Sequence, residues 1–206
     1  MFAPRPHDLL RLAGDHDALS VDAPSWARAS LTRTPWVVVR RATAPDGQIA
    51  AGVRGRLRAQ RFAMTVPSTA IEQIVTPELL CADRPPADRD LPAFAALRTV
   101  RSHLNSTGLR WGPTGSVGFE LATGHHTVTD DSDLDVIVRV GDSNASLLQQ
   151  LSALQGKLSS AAVRVDCQVE TPAGAVALAE IASSHPRVMV RTVEGPCLVS
   201  TAELVR

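Results

Sequence analysis

The sequence predicts an α+β protein of two parts: a small β-rich N-terminal domain, then a larger domain with helices packed on a mixed sheet. Three observations carry that expectation. The first eighty or so residues hold β-branched runs separated by turn sequences. A proline-rich, charged stretch, CADRPPADRDLP, interrupts the chain at residues 81–92. Beyond it, apolar stripes at helical spacing alternate with short strand-like runs. The expected boundaries are 1–80 for the N-terminal β-rich substrate or partner domain, 81–92 for the linker and 93–206 for the catalytic domain.

In the first part, two short apolar runs lie around Leu9-Leu10 and Trp26, among scattered Pro, Asp and Gly. Trp36-Val37-Val38-Val39 is a strand by composition, since β-branched side chains fit a pleated surface. After the turn Pro45-Asp46-Gly47, a second strand-like run extends from Ile49 to about Val66, and the two suggest a hairpin or meander. Residues 67–80 read as a short helix ending near Leu80.

In the second part, Phe94, Leu97, Val100 and Leu104 make a helical stripe over 91–104, with Asp90 as N-cap and Gly108 closing it. Residues 134–140 form an apolar strand. Residues 145–158 form a second helix, with Leu147, Leu148, Leu151, Leu154 and Leu158 on one face and Ser143 or Asn144 as cap. Residues 163–169 alternate as a strand. An alanine-rich helix is expected after Thr171-Pro172, where proline suits the first turn. Residues 188–190 and Leu198-Val199 close the chain as a hairpin around Gly195-Pro196.

Bulk composition excludes several classes. The 206 residues are 44% hydrophobic and 20% charged, with 21 Lys+Arg against 21 Asp+Glu. A net charge of zero weighs against sequence-independent nucleic-acid binding, which needs uncompensated cations to displace counterions. Cys81, Cys167 and Cys197 are odd in number and lack zinc-site spacing, so they read as reduced thiols of a cytoplasmic protein. The N-terminus has prolines and acids where a signal peptide needs an apolar run, and no stretch approaches the ~20 apolar residues of a membrane helix. Neither a nucleic acid nor a membrane is expected as partner.

The chemistry concentrates in residues 112–140, GPTGSVGFELATGHHTVTDDSDLDVIVRV. Asp133 and Asp135 flank Leu134 at the start of a strand. Side chains at i and i+2 leave one face, with Cα atoms about 6.6 Å apart, so two carboxylates can converge on one Mg²⁺. A solvated acidic turn is the plainer reading; it suits Asp130 and Asp131 but not Asp135, which leads directly into Val136-Ile137-Val138. An EF-hand would need glycine where Val136 stands, and a haloacid dehalogenase pattern would need threonine where Ile137 stands. A glycosyltransferase Asp-x-Asp would leave Gly115-Ser116 unexplained. That upstream pair offers backbone N–H groups, a hydroxyl and no Cβ at the glycine, so a phosphate can approach.

Gly-Ser followed at a distance by Asp133-Leu134-Asp135 resembles the signature of the DNA polymerase β-type nucleotidyltransferases. The third carboxylate of that superfamily lies on a later strand, and Asp166, between Val165 and Cys167, matches it. The resemblance implies a polymerase β-like nucleotidyltransferase fold for 93–206. Asp133, Asp135 and Asp166 would then be catalytic, Asp133 and Asp135 holding the metal and Asp166 either completing a metal site or accepting the serine proton, with Gly115 and Ser116 phosphate-binding. One departure is that the interval from Ser116 to Asp133 is longer than usual, which implies an enlarged loop around Gly124-His125-His126.

The strings GSVGFELATG, SDLDVIVR and RVDCQVETPAGAVALAE, with the N-terminal HDLL and GVRGRLRAQR, are similar to one narrower family. It is the malonate decarboxylase holo-acyl-carrier-protein synthases, or phosphoribosyl-dephospho-CoA transferases, and the likeness runs from His7 to the C-terminus. It implies an enzyme that takes 2′-(5″-triphosphoribosyl)-3′-dephospho-CoA and joins its phosphoribosyl end to a serine of the apo acyl-carrier subunit of malonate decarboxylase, releasing diphosphate. Magnesium is the expected cofactor.

Arg54, Arg56 and Arg58 alternate along the N-terminal run, so they are expected on one strand face as phosphate ligands; the same spacing equally suits a solvated face. His125 and His126 are adjacent and point apart on extended chain, which weighs against a metal role. Trp26, Trp36 and Trp111 read as core rather than as adenine platforms. No P-loop or Rossmann fingerprint occurs. Two other functions stay open at this stage. One is a nucleotidyltransferase acting on a small molecule or another protein. The other is a non-catalytic nucleotide-binding module, against which the three carboxylates weigh.

Overall fold

The computed structural model describes residues 3–14, 19, 22–57, 59–83, 85, 88–141, 145–183 and 185–205. The chain divides into two compact units, Met1–Thr76 with Ala122–His125, and Pro77–Leu121 with His126–Arg206.

The first unit is an antiparallel sheet. Its strands are β1 (Leu9–Leu12), β2 (Trp36–Val39), β3 (Gln48–Arg54), β4 (Arg61–Pro67) and β5 (Ile71–Val75), in the order β4-β3-β2-β1-β5. Helix α1 (Ser25–Arg33) turns Ala27 and Leu31 inward, where they join Leu10, Val37, Ala51, Val53 and Val66 in one apolar cluster. Each large side chain so buried contributes about 1.5–3 kcal/mol.

Two expectations fail here. The run from Ile49 to Val66 is not one strand but a hairpin: Gly55 N–H donates to Gln60 O at 3.0 Å, and Arg54 pairs across to Arg61. Arg54 and Arg56 therefore do not share a strand face, because the chain has left β3 before Arg56; Arg58 lies outside the described residues. Residues 67–80 are not a helix. They make a 3₁₀ turn at Ser68–Ala70, then β5, then a 3₁₀ turn at Pro77–Cys81. Ile71, Ile74 and Val75 are β-branched, and pairing with β1 is open to them, so the strand wins over the helix.

The second unit holds helices on a mixed sheet, as the α+β expectation required. Its elements are α2 (Pro92–Asn105), β6 (Arg110–Pro113), α3 (Gly115–Thr123), β7 (Leu134–Arg139), α4 (Ala145–Leu158), β8 (Val165–Thr171), β9 (Gly174–Ala177), α5 (Leu178–Ala182), β10 (Arg187–Arg191) and β11 (Pro196–Ser200). The strand order is β11-β10-β9-β8-β7-β6; β7 and β8 run parallel through the α4 crossover, and the other pairs are antiparallel. Alternation then decides the faces. Leu134, Val136, Val138, Cys167 and Val169 join Phe94, Leu97, Val100, Leu104, Leu151 and Leu154 in the core, which leaves Asp135 and Asp166 on the opposite side of the sheet.

Helix α2 begins at Pro92 with Leu91 as N-cap and no side-chain cap bond; Asp90 instead meets Arg98 at 3.1 Å. Gly108 follows it at φ +68°, in the left-handed region expected of a closing glycine. Helix α4 matches its leucine stripe, while Ser143 and Asn144 lie outside the described residues. After Thr171 the chain makes a hairpin, not a helix. Gly174 at φ +137° allows the tight turn, Thr171 Oγ1 donates to Gly174 O at 2.9 Å, and only Leu178–Ala182 is helical.

Candidate metal and phosphate site

The site is assembled by strand register. In the parallel pair β7–β8, Asp135 stands opposite Asp166, and neighbouring strands lie about 4.8 Å apart. Asp133 sits just ahead of β7, two residues from Asp135. One oxygen from each of Asp133, Asp135 and Asp166 lies within 4.8 Å of the others, and all three residues are half-buried. Among the described residues this is the one such cluster of metal-ligating side chains. Carboxylates held this close repel one another, and a hard cation relieves that cost. Arg164 offsets part of it: its Nε donates to Asp166 Oδ1 at 2.8 Å.

Gly115 and Ser116 are the first residues of α3. Gly115 adopts φ +59°, and a Cβ there would overlap the Asp135 carboxylate, at 2.7 Å from its Cγ. Thr114 N–H donates to Asp135 O at 2.8 Å, so the helix start and the carboxylate strand are tied by backbone. Gly118 N–H closes on Thr114 O, the first intrahelical bond. The preceding N–H groups of a helix have no intrahelical acceptor, and the dipole leaves roughly half a positive charge there. A helix start beside three carboxylates therefore sets anion-binding donors next to a cation site.

Behind the site lies an ion pair with no local sequence signature. Glu120 is fully buried, and Arg89 Nε donates to its Oε1 at 2.8 Å. Its Oε2 accepts from Thr127 N–H at 2.7 Å and Val128 N–H at 2.8 Å. Burial pushes the Glu120 carboxyl up, but the bonds from Arg89, Val128 and Thr127 outweigh it and hold the group below its ordinary range. Neither this pair nor Arg164 was anticipated from the sequence. Arg164 had a weak signal, being two residues before Asp166 and just ahead of β8.

Other candidates fall into place. His125 and His126 are not in the carboxylate cluster. Trp111 is buried and donates from Nε1 to Asn105 Oδ1 at 2.8 Å, a structural role; Trp36 is buried too, and Trp26 packs on the first unit's core. The three cysteines are free thiols. Burial pushes Cys167 up to about 12 and Cys81 up to about 11, so neither is a ready nucleophile at neutral pH. Arg54 is half-buried at the end of β3, and Arg56 is exposed in the turn that follows.

Comparison with known proteins decides the family. The model of the phosphoribosyl-dephospho-CoA transferase MdcG C-terminal domain matches residues 79–202, and that of the MdcG N-terminal domain matches residues 5–77. The chain belongs to the phosphoribosyl-dephospho-CoA transferase family. A phosphoribosyl-dephospho-CoA transferase of Pseudomonas aeruginosa is 44% identical over 202 residues, covering 95% of this chain and 92% of that protein. Relatives of the same name from Pseudomonas putida and Azotobacter vinelandii are each 43% identical over 199 residues, covering 97% and 95% of this chain and 95% and 92% of their own lengths. No solved structure matches. Membership of this family makes the chain a transferase. Among the described residues no helix is long and apolar enough to cross a membrane.

Proposed function

We propose that this chain transfers the phosphoribosyl-dephospho-CoA group from 2′-(5″-triphosphoribosyl)-3′-dephospho-CoA to a serine of the apo acyl-carrier subunit of malonate decarboxylase. Diphosphate leaves. The family supplies the transferred group; the observation that supports a phosphoryl-transfer site is the carboxylate cluster of Asp133, Asp135 and Asp166 against the start of α3.

The donor set is all oxygen and anionic, which suits a hard divalent ion and Mg²⁺ in particular. When bound, such an ion neutralises charge on the phosphate oxygens and on the departing diphosphate. The acceptor serine oxygen attacks the α-phosphorus in line, the bond to the β-phosphate oxygen breaks, and the hydroxyl proton is lost to a base. Gly115 and Ser116 offer the α3 N-terminal N–H groups to phosphate oxygens. Asp166 joins the other two as a ligand, since its oxygen lies in the same 4.8 Å cluster. Arg164, paired with Asp166, screens the cluster.

The second unit is assigned catalysis, and the first recognition of substrate or partner. Arg54, Arg56 and Arg58 are assigned to substrate phosphates, Arg54 from the last position of β3 and Arg56 from just beyond it; Arg58 lies outside the described residues. The reading is of a cytoplasmic enzyme without nucleic-acid or membrane partners, in keeping with three free thiols and zero net charge.

The test incubates the purified chain with apo carrier, the triphosphoribosyl substrate and Mg²⁺. The carrier should gain one phosphoribosyl-dephospho-CoA, with one diphosphate released per carrier modified. Modification of some other acceptor, with the carrier untouched, would refute the acceptor assignment.

A further inference from the structure

Resting on that reading of the carboxylate cluster, we propose that the pair of half-buried Arg89 and buried Glu120 is a positioning device that holds Ser116 and Asp133 in register across the long interval between them. Glu120 lies one helical turn beyond Ser116 on α3, so the two share a helix face, and both are buried. Past the end of α3 at Thr123, the chain must reach Thr127 and Val128 before it delivers Asp133. Glu120 secures that segment to α3: one carboxylate oxygen takes the N–H groups of both Thr127 and Val128.

Arg89 completes the grip. Its Nη2 donates to Val128 O at 2.7 Å and to Glu120 Oε2 at 3.2 Å, so Val128 is held at its N–H by Glu120 and at its carbonyl by Arg89. Thr127 Oγ1 donates to Ser116 O at 2.9 Å, which ties the returning chain to the helix start. A small turn then carries the constraint forward: Thr129 N–H donates to Ser132 Oγ at 3.0 Å, and Ser132 N–H donates to Thr129 O at 3.1 Å. Asp133 follows directly.

With Glu120 buried, the pair is a poor way to gain stability, because desolvating the carboxylate consumes much of the attraction. It is a good way to fix geometry, since arginine's fork and a carboxylate accept few alternative arrangements. Apolar side chains in their place could not satisfy the Thr127 and Val128 N–H groups at all. The pair thus accounts for how this chain keeps a two-part site despite its lengthened interval.

The test compares wild type with Glu120→Gln, Arg89→Lys and Asp133→Asn, and with Leu158→Ala as a core control in α4. Amide exchange at Thr127 and Val128, Mn²⁺ affinity, melting temperature and transfer kinetics are measured under conditions where each protein is folded. Glu120→Gln should speed exchange at both amides, weaken Mn²⁺ binding, and lower kcat about 10–100-fold with little change in KM for the triphosphoribosyl substrate. Arg89→Lys, which keeps the charge and loses the fork, should fall between Glu120→Gln and wild type. If Glu120→Gln fails to fold, Arg89→Lys carries the same readouts. Leu158→Ala should lower the melting temperature and leave kcat and Mn²⁺ affinity alone. Should the Arg89 and Glu120 variants behave like that control, the pair is merely structural and the proposal is overturned. Full transfer and Mn²⁺ binding in Asp133→Asn would overturn the carboxylate reading, and this proposal with it.

Discussion

The contact between Gly115 and Asp135 shows how narrowly single atoms define this site. Any side chain at 115 must move the Asp135 carboxylate, and φ +59° is a conformation that L-residues adopt at a cost of about 1 kcal/mol or more. Gly115→Ala is therefore expected to destabilise the chain modestly while lowering kcat more than about 100-fold, because the displaced group is a proposed metal ligand. Melting and transfer assays on the same sample check both halves. A variant that melts lower yet transfers at the normal rate would free Gly115 of any role in the chemistry. At this scale the sequence was informative where spacing is local. Asp133 and Asp135 are two apart, and Asp166 stands out among apolar neighbours on its strand. Arg89 and Glu120 are 31 positions apart, and such pairing leaves no periodic trace. Arg164 is a lesser case, legible only once Asp166 has been given a role.

Among the elements, those with long apolar stripes could be read directly, and short ones could not. Helices α2 and α4 bury the residues their 3.6-residue period selects, β7 is the apolar strand expected, and β8 follows its alternation. The errors fall on segments of four to seven residues, where a helical and a strand reading fit the same few apolar positions. The apolar positions of β5 fit a helix as well as a strand, and β9 is hidden in an alanine-rich run by the turn at Gly174. The hairpin β3–β4 looks like a single strand in sequence because nothing local marks Gly55 as the point where the chain turns to pair with Gln60. That correction changes the arginine prediction. Arg56, exposed beyond the end of β3, can be removed without disturbing the sheet. Arg56→Ala should raise KM for the triphosphoribosyl substrate by up to about tenfold, the equivalent of 1.4 kcal/mol, and less if water reaches the contact. Its affinity for the apo carrier should hold. If carrier affinity falls instead, with a steep salt dependence, the arginines meet the carrier; if neither constant moves, they are solvated.

For the whole molecule, the α+β class and the family followed from patterns spread over nearly the full length of the chain, and the family models match residues 5–77 and 79–202. The cysteines, free thiols of which two are raised by burial, add no chemistry to the account. The central claim is that three carboxylates, brought together by the parallel register of β7 and β8, hold the divalent ion on which transfer depends. Mn²⁺ titration of wild type and Asp135→Asn, with transfer assayed in the same samples before and after chelation, tests it most directly. Wild type should bind Mn²⁺ and lose transfer on chelation, recovering it when Mg²⁺ is restored. Asp135→Asn should stay folded, bind Mn²⁺ far more weakly and transfer at less than about a hundredth of the normal rate. Transfer that survives both chelation and Asp135→Asn would contradict the claim.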